Sequence, residues 1–286
     1  MTLPVPMLVL LSRRESISPA DFRAYWQDVH GPLAARLRGL HHYRQLHLRF
    51  ARGWWPELPG VDLEPLAADR VDGIAEMAFS SPEGQRAYAE VAHLTRGDEP
   101  HLFRRSVRYL SDEATHAEAP ARLAAAASAE TGFGLCALLR RRSGDDAPAF
   151  ADRVRSLLRP LLAAGRARVW TLAPRDNTQN HLLAPHVDHD APEARQYQAV
   201  AELWFDDAAT AHRMLSDPAF AESQQALLGA AHVYVIEQVA SMLLRGRMTP
   251  SGRRGHTVAQ LIERVGASNQ LEDDVATRFG EKEMPR

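Results

Sequence analysis

The chain of 286 residues contains an internal repeat, and this repeat constrains its fold more than any other feature. Residues 74–79 (IAEMAF) match residues 200–205 (VAELWF) in type at five of six positions, 126 residues apart. Residues 10–14 (LLSRR) align with residues 138–142 (LLRRR) at an offset of 128. The same offset relates three further pairs, which are Phe22 and Phe150, Pro32 and Pro160, and Leu33 and Leu161. Because the offset stays nearly constant through three separate elements, we interpret the repeat as a duplication.

Each half predicts the same order of elements, β-α-β-β-α-β. In the first half, buried-type apolar runs predict strands at residues 7–13, 41–48, 73–79 and 104–110. A serine followed by proline predicts a helix start at residues 18–19 and again at residues 81–82. In the second half, strands are predicted at residues 133–140, 168–173, 200–205 and 233–243, with helices over 148–163 and from residue 208.

These elements predict an α+β fold of two ferredoxin-like repeats. A four-stranded sheet covered by helices on one face must bury its other face, so we expect the repeats to pack sheet to sheet as a pseudo-dimeric α/β barrel. The predicted domains are 1–113 for the first repeat and 131–245 for the second. An alanine-rich linker helix (114–130) joins them, and a polar C-terminal arm (246–286) follows, with a short amphipathic helix at 256–265.

Composition excludes several classes of protein. The formal net charge is −2, which gives no strong attraction to nucleic acid or to a membrane surface. No apolar run approaches the length of about 20 residues that a membrane span requires. Cys136 is the only cysteine, so neither an internal disulfide nor a cysteine-rich metal site can form. These features together favour a cytoplasmic protein.

The most informative motifs lie in the first half. Residues 22–33 (FRAYWQDVHGPL) place a histidine at the end of an aromatic helix, and residues 39–43 (GLHHY) follow. Residues 72–76 (DGIAE) and Asp98-Glu99 with Phe103 complete the set. This pattern, over residues 5–113, resembles the EthD family. The resemblance implies a dimeric α/β-barrel fold with a pocket between helices and sheet, and it leaves a homodimer open.

The resemblance and the helical spacing together give candidate site residues. At about 100° per residue, His30 lies roughly 40° from Trp26, at the flank of an apolar stripe, so its imidazole can face an aromatic-lined cavity. An imidazole there can exchange a proton near neutral pH. The candidate catalytic residues are His30, Tyr43 and Asp98, with Asp98 orienting a basic partner. The candidate substrate-binding residues are Phe22, Tyr25, Trp26, Val29 and Glu76.

Structural roles remain open for several of these residues. His30 stands beside a helix break and could simply cap a free carbonyl. Tyr25 and Trp26 are equally compatible with a core position. Glu76 has a counterpart in Glu202, which favours a structural role such as pairing with Arg104 or Arg108 over a pocket carboxylate.

The second half keeps the scaffold but not the polar set. Leu158 stands where His30 stands in the first half, Val169-Trp170 replaces the tyrosine region, and Ala230-Ala231 falls about where Asp98-Glu99 would lie. We therefore expect one competent pocket, in the N-terminal half. The second half would mainly complete the barrel.

Two loops carry further candidates. The loop at residues 174–196 contains a group of histidines and aspartates: His181, His186, Asp188, His189 and Asp190. A metal site there is disfavoured because the group lacks the helical i, i+4 spacing of paired ligands. Trp54-Trp55, in the corresponding loop of the first half, could cover the pocket or contact a partner.

The leading functional hypothesis is a cofactor-independent enzyme. It would use acid/base catalysis on a small oxygenated aromatic or polyketide-like molecule, as an isomerase, lyase or cyclase. Its ligand would be small and hydrophobic or aromatic. A haem-binding α/β-barrel protein is one alternative, and a non-catalytic ligand-binding or assembly protein is the other.

Overall fold

The computed structural model describes residues 5–111 and 132–271, apart from residues 143, 145, 165, 175–182 and 225. The linker helix predicted at 114–130 therefore lies outside the described residues, as do His181 and the end of the C-terminal arm. Among the helices that the structure describes, none is both long enough and apolar enough to cross a lipid bilayer.

Strands dominate the described fold. Their bounds are β1 Val5–Arg13, β2 Leu40–Phe50, β3 Gly73–Phe79, β4 Phe103–Ser111, β5 Phe133–Arg141, β6 Ala167–Pro174, β7 Ala199–Phe205, β8 Leu228–Leu244 and β9 Arg247–Met248. They form one sheet in the order β2-β3-β1-β4-β6-β7-β5-β8-β9, and every neighbouring pair is antiparallel. The fold is thus a mixed α and β architecture built on a large antiparallel sheet.

The helices are short. Their bounds are α1 Pro19–Tyr25, a π-helix Trp26–His30, α2 Gly31–Ala35, α3 Pro82–Val91, α4 His93–Arg96, α5 Glu99–Leu102, α6 Ala147–Leu157, α7 Arg159–Ala163, α8 Ala208–Leu215, α9 Pro218–Glu222, α10 Pro250–Arg254 and α11 His256–Arg264. Single-turn 3₁₀ segments lie at Ala67–Asp69, Glu193–Arg195 and Ser268–Leu271. Gly31-Pro32 was expected to bend or interrupt the first helix, and the α-helical pattern is indeed interrupted before it, by the π-helix Trp26–His30, after which α2 begins at Gly31 without an intervening loop.

The two halves repeat one strand order, β2-β3-β1-β4 in the first and β6-β7-β5-β8 in the second. Two strand pairs join the halves edge to edge: β4 with β6, and β2 with β8. The β2–β8 ladder runs from Tyr43 opposite Leu243 to Phe50 opposite Tyr234. Strand β8 is longer than predicted because it pairs with β5 through its first part and with β2 through its second.

Three apolar clusters hold these layers together. One lies under the helices of the first half around Phe22, Trp26 and Phe79. A second lies under the helices of the second half around Phe150 and Phe205. The third contains strand residues of both halves, including Leu8, Leu46, Leu138, Val200 and Tyr234. The helix-free faces of the two halves therefore share one core, as burial of the uncovered sheet face requires.

Candidate functional site

The helix that carries His30 has an unusual turn. Ser18 caps its start, since the Ser18 hydroxyl oxygen accepts from the Asp21 backbone N–H at 3.0 Å, and Pro19 occupies the first turn. From Trp26 to His30 the helix is a π-helix, and the Gly31 N–H donates to the Trp26 carbonyl. Such single π-turns are rare and occur frequently at functional sites. Here the turn ends at the candidate catalytic histidine.

The inward face of this helix is narrower than the sequence pattern predicted. Phe22, Trp26 and His30 are buried at i, i+4 spacing. The Phe103 ring meets all three, with centroid distances of 6.0, 6.5 and 5.6 Å respectively. Val29 is 49% exposed and lies one position before His30, so it belongs to the outer row of the helix and not to the buried row that carries His30.

Tyr25 and Leu33 belong to the same outer row as Val29, at 37% and 38% exposure. The predicted apolar stripe therefore mixed two rows of the helix, and only the row through Phe22, Trp26 and His30 enters the core. The inner row gives His30 an aromatic environment at 7% exposure, which is an enclosed contact rather than a solvated cap.

Asp98 connects two of the candidate residues. Its Oδ2 lies 2.7 Å from His30 Nδ1, and its Oδ1 accepts from the Tyr25 hydroxyl at 2.7 Å. Asp98 stands just before helix α5, which brings it over the outer end of the π-helix. The carboxylate thus holds the imidazole through one nitrogen. Among the described residues nothing bonds to the other nitrogen, Nε2, which is not fully enclosed.

The hydrogen bonds control the charge of Asp98. Burial alone would raise its pKa, but the bonds from His30 and Tyr25 outweigh burial and hold the pKa below the ordinary value. The same carboxylate raises the pKa of Tyr25, first through the hydrogen bond and then through burial and charge repulsion. Asp98 is therefore an anion near neutral pH, and Tyr25 is a neutral donor to it.

The floor under the helix is polar, and this was not foreseen. Tyr43, Gln45 and His47 alternate along β2 and are all buried. Gln45 Nε2 donates to the Trp26 carbonyl at 2.9 Å and to the Tyr43 hydroxyl at 2.8 Å. The Tyr43 phenol therefore bonds Gln45 rather than His30, and its burial raises its pKa. The sequence feature that indicates this floor is the presence of Tyr43, Gln45 and His47 at every second position of β2.

Three atoms of this floor lack hydrogen-bond partners among the described residues. They are Gln45 Oε1 and both ring nitrogens of His47, all fully buried. The His47 ring packs against Trp26 with centroids 4.6 Å apart. Burial lowers the pKa of His47 to about 3, so the ring is neutral at any physiological pH. Unsatisfied buried polar groups are costly, and in native proteins they often mark a function.

The second half lacks this polar floor. Strand register makes Arg44 equivalent to Arg168, since each is paired with a glutamate on the next strand, Glu76 or Glu202. The counterparts of Tyr43, Gln45 and His47 are then Ala167, Val169 and Thr171. At the histidine position Leu158 ends α6 without a π-turn. The polar set is confined to the first half, so it is not a requirement of the scaffold.

The same register corrects one alignment. Arg13 lies opposite Phe103 on β4, and its equivalent Arg141 lies opposite Leu228 on β8. Asp98 lies five residues before Phe103, and the residue five before Leu228 is Ser223. Asp98 therefore corresponds to Ser223 and not to Ala230-Ala231. The second half still has no carboxylate at this position.

Glu76 is part of a buried ion network and is not a free pocket carboxylate. It lies 2.9 Å from Arg44 and 2.9 Å from Arg168, and Arg44 also reaches Glu202 at 2.5 Å. Burial opposes the charge on Glu76, but Arg168, His42 and Arg44 hold its pKa well below the ordinary value. The predicted partners Arg104 and Arg108 are wrong, because Glu76 points into the core shared by the two halves.

The C-terminal segment docks on the π-helix. Asp28 accepts from the Thr257 backbone N–H at 2.8 Å and from the Thr257 hydroxyl at 2.6 Å, which anchors the first turn of α11. Gln27 donates to the same hydroxyl at 3.0 Å. Part of the region predicted as a polar arm therefore packs beside the π-helix, on the side that carries Gln27 and Asp28.

The other loop candidates lie elsewhere. Trp54 packs on Phe133 at 4.5 Å, and Trp55 Nε1 donates to Gln224 at 2.7 Å, so this loop binds the second half and does not cover His30. His189 accepts from the Ala184 N–H at 3.0 Å and lies 3.1 Å from the Ser106 carbonyl. Within the described residues, no group of three or more histidine, cysteine or acidic side chains could hold a metal ion.

Comparison with known families matches both halves. The profile of the EthD domain matches residues 14–106 and residues 144–227, which together make up more than half of the chain. The chain belongs to the EthD domain family. It is a tandem EthD protein, and the second EthD domain is the one that lacks the His30 and Asp98 equivalents. No curated protein matches the sequence.

Two solved structures resemble this EthD protein over most of its length. A "Putative monooxygenase" from Fusobacterium nucleatum subsp. nucleatum shares 7% identity, with a TM-score of 0.47 over 84% of this chain and 94% of that one. A "Putative Chlorite dismutase" shares 11% identity, with a TM-score of 0.41 over 91% of this chain and 99% of that one. At these low scores neither structure bears on the activity or ligands of the tandem EthD protein.

Proposed function

We propose that the first EthD domain is an enzyme active site in which His30 is the general acid/base and Asp98 orients it. The observation that carries the proposal is the 2.7 Å contact between His30 Nδ1 and Asp98, made by a carboxylate that Tyr25 also holds. An anionic carboxylate favours the tautomer with the proton on Nδ1, which leaves Nε2 as the base.

We infer the substrate class from the aromatic side chains beside His30, whose ring packs edge-on against Phe103 at 5.6 Å. An aromatic wall of Phe103 and Trp26 favours a small, flat, oxygenated aromatic or polyketide-like molecule with a weakly acidic C–H or O–H group. Nε2 would take that proton, Asp98 would stabilise the imidazolium that forms, and the same nitrogen would return the proton at another atom. Isomerisation, elimination and aldol-type cyclisation share this sequence of steps and require no cofactor.

The proposal includes the architecture. We infer that the β2–β8 and β4–β6 pairings close the two ferredoxin-like repeats into a pseudo-dimeric barrel around their shared core. The second EthD domain would then act as a fixed partner for the first. This assignment explains why one domain keeps the polar set while the other keeps only the scaffold.

A proton-transfer assay tests the proposal without knowledge of the natural substrate. The probe is 2-tetralone, a flat bicyclic ketone with acidic C–H groups, and NMR in D₂O follows exchange of these protons. His30→Ala should slow the catalysed exchange by a factor on the order of 10² or more. Asp98→Asn should slow it less, because Nε2 survives but the tautomer is no longer fixed. Asp152→Asn, at an exposed carboxylate on α6, is the matched control.

Two results would contradict the acid/base assignment. One is exchange by His30→Ala at the wild-type rate. The other is the absence of any acceleration by the wild-type protein.

Haem binding is the second candidate, because a carboxylate on Nδ1 with Nε2 free is also the pattern of a metal-binding histidine. His30 would hold the haem iron, and the haem would supply redox chemistry. However, His30 lines neither the cleft of about 360 Å³ beside α1 nor the cleft of about 230 Å³ beside Trp54, so a porphyrin, like the smaller flat substrate proposed above, would require the side chains around His30 to move apart. A Soret band that appears with haemin and is lost in His30→Ala would favour haem over acid/base chemistry.

A further inference from the structure

A cleft lined mainly by the first domain contains several arginines. It has a volume of about 360 Å³ and lies between the start of α1, the ends of β1 and β2, and the loop before β3. Five of its fourteen lining residues are arginine, whereas arginine makes up 33 of the 286 residues of the chain. These five are Arg13, Arg23, Arg49, Arg70 and Arg104.

The cleft carries an excess of positive charge. Three acidic residues line it, Glu15, Asp72 and Glu237, against the five arginines. The whole chain has a formal net charge of −2, so this cleft is positive on a slightly negative protein. A concave site with charge of one sign concentrates ligands of the opposite sign.

The internal ion pairs leave donors free for a ligand. Arg23 and Arg49 share a single carboxylate, Glu237. Arg70 lies over the Phe50 ring at 5.2 Å and reaches Glu64 only at 3.6 Å. A guanidinium has five donors in a planar fork, and stacking on an aromatic face fixes that plane while its edge stays available. The edge of Arg70 therefore suits a carboxylate.

The floor of the cleft is apolar. Phe22, Leu48, Phe50 and Val71 form it. An inorganic anion would leave this surface wet, whereas an anion attached to a flat hydrocarbon body would cover it. A volume in the range of small-molecule sites agrees with such a ligand.

The duplication provides an internal comparison. Four of the five cleft arginines have non-basic counterparts in the second domain, and only Arg13 has a basic equivalent, Arg141. Strand register gives the counterparts of Arg49, Arg70 and Arg104, and the repeat offset of 128 gives that of Arg23. The four counterparts of Arg23, Arg49, Arg70 and Arg104 are Ala151, Ala173, Gln196 and Gly229. The second domain thus keeps the same scaffold without these four arginines, so the scaffold alone does not require them.

We propose that this cleft binds a small organic carboxylate through its arginine rim, with the hydrocarbon part of the ligand on the Phe22 and Phe50 floor. The site is separate from His30, because Phe22 precedes His30 by two helical turns, or about 12 Å along the axis. The proposal therefore holds or fails independently of the acid/base assignment.

Calorimetric titration of the full chain with sodium benzoate at low salt tests this site, with benzyl alcohol as the neutral probe of the same shape. Wild type should bind benzoate at least about tenfold more tightly than benzyl alcohol, and added salt should weaken only benzoate. The double variant Arg70→Gln/Arg104→Gln should weaken benzoate binding by about tenfold or more. His30→Ala should bind benzoate as wild type does.

Controls keep the result interpretable. Arg86→Gln/Arg155→Gln removes two ion-paired arginines outside the cleft, one exposed and one partly buried, and should leave binding unchanged. If circular dichroism shows that the double variant is unfolded, Arg49→Gln replaces it, because that side chain is 58% exposed. Equal binding of benzyl alcohol, unchanged binding by the folded cleft variant, or phosphate binding as tight as benzoate would each overturn the proposal.

Discussion

His47 should make the stability of this protein fall as the pH is lowered, and a single substitution should remove that effect. The ring is fully buried under Trp26, and burial lowers its pKa from 6.5 to about 3. In the unfolded chain the same ring would titrate near 6.5. Between these two values the unfolded state binds a proton that the folded state does not, so acid favours unfolding.

The size of the effect follows from the difference in pKa. Each unit is worth about 1.4 kcal/mol, so the full loss is about 5 kcal/mol, reached only near pH 3 and below. At pH 5 the unfolded ring is almost fully protonated and the folded ring is not, which gives a loss of about 2 kcal/mol relative to pH 7.5. Above pH 7.5 the ring is neutral in both states and contributes no pH dependence.

The substitution His47→Leu isolates this contribution. Urea unfolding at pH 7.5, 6 and 5 gives the free energy of unfolding of each protein. Between pH 7.5 and pH 5 this free energy should fall by about 2 kcal/mol less in the variant than in wild type. Burial also lowers the pKa of His232 and His256, so wild type should lose more than the His47 share alone. The contributions of His232 and His256 are present in both proteins, so they cancel when the pH dependence of the variant is subtracted from that of wild type. His101→Gln, at an exposed histidine, is the control and should keep the wild-type slope.

The free energy of unfolding at pH 7.5 provides a second test. Leucine replaces a ring with two unbonded nitrogens, so the variant should be as stable as wild type or more stable at that pH. Equal pH slopes in His47→Leu and wild type would refute the reasoning, because they would mean that the folded ring protonates as easily as the unfolded one.

Three further substitutions test the supports of the site. Asp28→Ala should destabilise the protein by about 1 kcal/mol through loss of the α11 anchor and raise hydrogen exchange in that helix, whereas Asp152→Ala should not. Glu76→Gln should cost about 3–5 kcal/mol in urea unfolding, and adding Arg168→Met should restore part of it, because each single change leaves a buried charge unpaired. Gly31→Ala should lower both stability and proton exchange, since a Cβ would lie 2.9 Å from a backbone carbonyl.

The scaffold was predictable because it depends on local patterns. Apolar runs gave the strands of both halves, and Ser18-Pro19 gave the start of α1. The EthD resemblance and the duplication were confirmed by the matches to both halves. The rows of the first helix were less predictable, because a π-turn changes the angle per residue and a 100° projection cannot distinguish the Trp26 row from the Val29 row.

The partners of buried charges could not be predicted, because they depend on how the strands of the two domains pack against each other. Glu76 meets Arg168 across the two domains, 92 residues apart, and no local pattern specifies that contact. The docking of Thr257 on Asp28, 229 residues apart, is hidden for the same reason. Gln45 and His47 differ from these cases. Their spacing, at every second position of β2, can be read from the sequence, but their burial cannot.

The comparison of the two domains separates structure from function within one chain. Features that both copies keep, such as the cross-strand pairs Arg44–Glu76 and Arg168–Glu202, belong to the shared scaffold. The π-turn at His30, the Asp98 contact, the polar floor and four cleft arginines occur in the first copy alone. Buried polar groups without partners cost stability, and selection for folding would remove them from both copies. In this chain they are confined to the domain for which we propose acid/base chemistry.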